Sequence, residues 1–135
     1  MISGRTIWAV GLIVGSGLVW QITQAQQSGI SRAELLRRDL SGSGRELIQV
    51  RVDFDRGAAF GKHTHPGDEV AFVLEGSLEY QIEGGAVATL GTGESLFIPA
   101  GTIHAARNVG NGKASELATY IVEKGKPLAT PAPVR

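Results

Sequence analysis

The feature that most restricts how this chain can fold is a succession of short segments in which apolar and polar residues alternate, each ended by glycine. Ile48, Val50, Val52 and Phe54 alternate with Gln49, Arg51 and Asp53, which makes one face of the segment apolar, the two-residue period of a half-buried strand. Asp55-Arg56-Gly57 then supplies a turn. The same logic places strands at 69–74, at Leu78, Tyr80 and Ile82, and at 86–90, 95–98, 104–109 and 117–122. Between them lie Glu75-Gly76, Glu83-Gly84-Gly85, Gly91-Thr92-Gly93, Pro99-Ala100-Gly101 and Gly110-Asn111-Gly112. The chain holds 19 glycines in 135 residues, about twice the usual share, because so many corners need them. Short strands at this spacing predict one all-β domain, a sandwich or barrel.

The flanks differ. Residues 1–25 contain no acid, one base, Arg5, an apolar run from Ile7 to Trp20 and a small-residue site at Thr23-Gln24-Ala25, the three-part pattern of a secretory signal peptide. The run would make a helix of roughly 21 Å, short of the ~30 Å hydrocarbon core. Cleavage after Ala25 and export to the periplasm or beyond is therefore expected, with a membrane anchor over residues 7–22 as the alternative. Residues 26–44 form an N-terminal arm. In it Ser31-Arg32-Ala33-Glu34 has the spacing of a capping box ahead of Leu35 and Leu36, which predicts a short helix closed by Gly42, or else an arm or edge strand. Residues 45–123 carry the barrel. Residues 124–135 hold three prolines without periodicity and predict an extended tail on the barrel or on a partner.

Thirteen Lys and Arg balance 13 Asp and Glu, and the only basic cluster is Arg37-Arg38, so a nucleic-acid partner is excluded on charge. Cysteine is absent, which leaves His, Asp and Glu as the ligands for any metal. The chain has three histidines. On a strand, His63 and His65 leave the same face two residue rises apart, a geometry for two adjacent positions on one ion. Pro66-Gly67-Asp68 can turn the chain so that Glu69 returns to the same ion, and His104 arrives from a later strand as the fourth ligand. Three imidazoles and one carboxylate suit a divalent transition metal, Fe, Mn, Ni, Zn or Cu, with positions left open for a small-molecule ligand or substrate.

These residues resemble the cupin family. Gly57, His63, His65, Glu69 and Gly76 match its first motif, and Gly93, Pro99, Gly101, His104 and Asn108 its second, with sixteen residues between the two. The resemblance implies an all-β, single-domain cupin barrel (a double-stranded β-helix or jelly roll) with the metal inside on His63, His65, Glu69 and His104. It also implies a homodimer paired through its sheets, with a segment from Gly29 to Leu40 lent to the partner, an arrangement that competes with the helix at 31–40. Gly57, Gly76, Gly93 and Gly101 are then turn residues with positive φ, and Asn108 a loop-holding side chain.

Single-domain cupins similar to quercetin dioxygenase bind a chelating substrate on Fe(II) or Mn(II). By that likeness the chain is a dioxygenase-like enzyme, with Glu69 also able to take a proton as a catalytic group. A non-oxidative isomerase or lyase acting on a sugar or organic acid, and a non-catalytic metal or ligand carrier, are the alternatives. Alternation lines the pocket with Ala71, Val73, Ala106 and Phe97 or its neighbours Leu96 and Ile98. Arg51, Gln49, Tyr80 and Arg107 are the candidates for meeting a charged substrate.

Overall fold

Residues 28–133 are described in the computed structural model of the protein. The signal-peptide and anchor expectations fall on residues outside that range. Among the described residues there is no helix. The strands are β1 (Ile30–Leu40), β2 (Arg45–Phe54), β3 (Ala59–Thr64), β4 (Gly67–Glu75), β5 (Ser77–Ile82), β6 (Val87–Gly91), β7 (Ser95–Ile98), β8 (His104–Asn108), β9 (Ala114–Glu123) and β10 (Thr130–Pro131). They form two antiparallel five-stranded sheets, ordered β1-β2-β9-β4-β7 and β10-β3-β8-β5-β6. From β3 onward the chain passes repeatedly between the sheets, the winding of a double-stranded β-helix.

The helix expected over residues 31–40 does not form. That segment is β1, paired with β2 of its own chain from Ile30 opposite Phe54 to Leu40 opposite Arg45. A short isolated helix is costly to nucleate, whereas the β2 edge offers a ladder for the whole segment. Arg37 bonds Glu34 at 2.8 Å and the buried Glu46 at 2.6 Å across the hairpin. A bulge at Leu35 sets the register.

β9 begins at Ala114, three residues before the alternation of apolar residues becomes evident, and pairs with both β2 and β4. It is the middle strand of its sheet, with Ala114, Glu116, Ala118, Tyr120 and Val122 buried on one side. The core is built from that side, from Ile48, Val50, Val52 and Phe54 of β2 and from Leu78 and Tyr80 of β5. The tail turns at Lys124 and Gly125 and then reaches the second sheet, where Thr130 and Pro131 pair with Thr64 and His63.

The corner at Gly76 has φ 75°, and a Cβ there would lie 2.6 Å from the carbonyl oxygen of Lys113, so both conformation and space require glycine. Gly57, Gly93 and Gly101 also have positive φ. Asn108 holds loops together, its Nδ2 donating to the carbonyls of Phe54, Asp55 and Gly112 and its Oδ1 accepting from the Gly110 amide.

Candidate metal centre

His63 lies next to the last residue of β3, His65 is in the link to β4, Glu69 lies early in β4 and His104 opens β8. Ladder register brings them together: His63 is opposite His104, and Glu69 is opposite Tyr120 on one side and Ile98 on the other. All four are buried. The ligand atoms of His63, His65 and His104 lie within 4.8 Å of one another. Glu69 Oε2 is 3.0 Å from His65 Nε2 and 3.1 Å from His104 Nε2.

The second ring nitrogen of each histidine shows what this arrangement needs. His63 Nδ1 faces the carbonyl of Gly61 at 2.7 Å, His65 Nδ1 that of Leu128 at 2.5 Å, and His104 Nδ1 that of Thr102 at 2.8 Å. A carbonyl only accepts, so each Nδ1 carries the hydrogen and each neutral ring presents a bare Nε2 lone pair to the interior. His63 Nε2 and His65 Nε2 are 3.1 Å apart, two acceptors facing each other, and Glu69 Oε2 is buried without a hydrogen-bond partner. A proton on His104 satisfies Glu69 and leaves the His63–His65 contact opposed. A divalent cation satisfies all of these atoms together, and the donor set suits a transition ion.

The electrostatics agree. Burial and the His104 imidazole hold His63 down at about 3, so it is neutral at physiological pH. Burial works to raise Glu69, but His104 and His65 outweigh it and hold the carboxyl at about 2. His104 is pushed up, because Glu69 and the Thr102 carbonyl overcome its burial.

Beside the cluster lies a cavity of about 10 Å³, room for roughly one water. Its wall includes Ala106 and Tyr80, together with Arg32, Phe60, Glu116 and Tyr120. Tyr80 donates to Glu116 across the interior. Several expected pocket residues lie elsewhere. Phe97 is 58% exposed: Ile98, opposite Glu69, takes the inward position, and Phe97, opposite Val70, faces out. Arg51 is also on an outer face, paired with Asp53 at 3.0 Å. Arg107 bonds Glu79 at 3.1 Å and Gln49 bonds Thr119 at 3.2 Å. Ala71 and Val73 do point inward, but into the core rather than onto the wall of this cavity. A larger cavity, about 180 Å³, lies on another side of His104 and is bounded by Lys62, Gln81 and Glu83.

Sequence reasoning missed Arg32, Glu116 and Tyr120. The parity that buries Val122 and Tyr120 also buries Glu116, a signal available once β9 is extended back to Ala114. Arg32 is legible only after residues 30–40 are read as a strand, when it shares the side of Ile30.

Two antiparallel sheets closing around a buried three-histidine cluster define a small β-barrel protein with an interior able to hold metal. The Cupin domain family model matches residues 50–128, and the chain belongs to the cupin family. It is 33% identical to Germin-like protein 1 of Brassica napus over 122 residues, 87% of this chain and 51% of that protein. It is 42% identical to the dimethylsulfoniopropionate lyase DddQ of Ruegeria pomeroyi over 45 residues, 33% of this chain and 22% of that one. Among solved structures it is similar to a recombinant oxalate oxidase in complex with glycolate, with TM-score 0.61 and 26% identity over 76% of this chain and 55% of the other. The chain spans between 22% and 51% of the length of the curated relatives it matches.

Proposed function

We propose that this cupin is a metal-dependent small-molecule enzyme of dioxygenase-like type, similar to quercetin-dioxygenase-like cupins, exported by its N-terminal segment and acting as a homodimer. One observation carries the reading: three bare imidazole nitrogens and an unpartnered carboxylate oxygen converge in the interior, with every Nδ1 hydrogen committed to a backbone carbonyl. His63, His65, His104 and Glu69 would hold the ion, and Fe(II) or Mn(II) suits oxygen chemistry, with Ni, Zn and Cu competing by affinity. A bound dication supplies Lewis acidity, lowering the pKa of a ligand hydroxyl. The chain supplies the rest. The backbone carbonyls fix ring orientation, the small cavity excludes bulk water, and Glu69 is placed to accept a proton at Oε2.

A non-oxidative lyase or isomerase is the second reading. It is favoured by the Tyr80–Glu116 pair, a proton donor and a buried carboxyl on the cavity wall, and by the likeness to a lyase. The dimer reading is supported by an apolar outer face where Val70 lies opposite Phe97 and Phe72 is its neighbour, all three exposed. The experiment is elemental analysis, followed by turnover of a panel of phenols and sugar acids in air and without oxygen. Oxygen-dependent turnover supports the leading reading, and equal turnover without oxygen supports the lyase. Metal retention with ligand binding and no turnover would identify a carrier.

A further inference from the structure

Among the described residues, Arg32 is the one arginine or lysine on the wall of the metal-site cavity. It comes from β1, outside the stretch that supplies the histidines, and it lies opposite Val52, whose other neighbour is Glu116. The residue is exposed, and its guanidinium Cζ sits 4.1 Å from the centroid of the Phe60 ring. Phe60 in turn packs against His63 with centroids 4.3 Å apart and the rings tilted by 58°. The guanidinium is therefore no farther from the His63 imidazole than those two legs laid end to end. Stacking on one face leaves the in-plane N–H groups free, and Arg32 is held by no carboxylate among the described residues. Arg37, Arg51 and Arg107 are all held by one. A planar fork of donors at a cavity mouth, steered by an aromatic ring and left without an anion, is built to receive one.

We infer that Arg32 is a specificity-determining residue that selects a compact organic dianion, such as a short dicarboxylate, one end of which meets the metal while the other is clasped by the guanidinium. The inference rests on the metal-dependent reading above and adds the substrate class to it. Charge supports it: a dication and Arg32 together outweigh Glu69 and Glu116 even when both carboxylates are ionised, so the cavity keeps a positive surplus for an anion. Position bears on it as well, because the free space is small and Arg32 is the one exposed residue of that wall, the others being buried.

The test is calorimetric titration of metal-loaded protein with malonate and with malonamate, which keeps one carboxylate for the metal and replaces the other by a neutral amide. Wild type should bind malonate at least tenfold more tightly. Arg32→Gln should bring the two affinities together while metal content and unfolding midpoint stay as in wild type. Arg32→Lys, which keeps the charge and loses the fork, should fall between them. Equal binding by wild type, or an undiminished malonate preference in Arg32→Gln, would overturn the inference and leave the metal reading standing. A wild-type protein that takes up no metal would overturn both.

Discussion

Tyr80 on β5 donates its phenolic hydrogen to Glu116 on β9, joining the two sheets through the interior. Burial and the nearby Glu69 push the Glu116 carboxyl up to about 7, against the opposing pull of the Tyr80 hydroxyl. Tyr80, also buried, stays protonated as the donor.

The pH dependence of stability follows from that pair. Glu116 has an ordinary value of 4.5 and a folded value of about 7, so the folded protein binds the extra proton between them and its stability falls as pH rises through that window. His63 and Glu69 act in the opposite sense, since their folded values are lowered and their contribution is lost as pH falls below 6.5 and 4.5 respectively. Urea unfolding of metal-free Glu116→Gln should lack the loss between pH 4.5 and 7. The same slope as wild type would show that Glu116 is ionised throughout.

Metal should bind near one ion per chain and should raise the melting temperature, because the ion selects the folded state. In His63→Ala/His65→Ala, elemental analysis should find little metal and added chelator should no longer shift the melting temperature. Full retention would remove these residues from the ligand set.

Removing residues 127–135 leaves every proposed ligand in place but takes away the Leu128 carbonyl that holds His65 Nδ1. Loss of such an orienting partner costs roughly 10–100-fold in metal affinity. Competition with a chromogenic chelator measures it, and unchanged affinity would mean that the ring needs no such support.

Gly76→Ala should destabilise the barrel by about 1–3 kcal/mol, from positive φ and the collision with the Lys113 carbonyl. Chemical denaturation decides it, with Gly84→Ala as a comparison: φ there is 75° but nothing lies within 4 Å of the added Cβ, so backbone strain alone remains.

Light scattering should find a dimer, and Phe97→Asp should convert it to a monomer, because a carboxylate would be buried against the partner's apolar face. A wild-type monomer would mean that Val70, Phe72 and Phe97 serve another contact.

The barrel was legible because period two and glycine corners are local signals that agree with one another from Ile48 to Val122. The four converging site residues were legible from types and spacing, since three histidines and one glutamate admit few arrangements on neighbouring strands. The cavity wall was less so. Phe97 and Ile98 are adjacent, and a one-residue difference in phase exchanges inside for outside, which the β4–β7 register decides and composition does not. Arg32 was hidden because a capping-box spacing and a strand parity coexist in the same residues, and the β2 edge decides between them.

The carbonyl of Leu128 gives the fold a sense of time. His65 is synthesised 63 residues before the group that fixes its proton. A nascent or stalled chain can thus display all four side chains of the centre and still lack its finished form. Only when the C-terminal segment lies down beside β3 is the His65 imidazole held, so tight loading of an ion would be reserved for molecules whose C-terminal segment has docked.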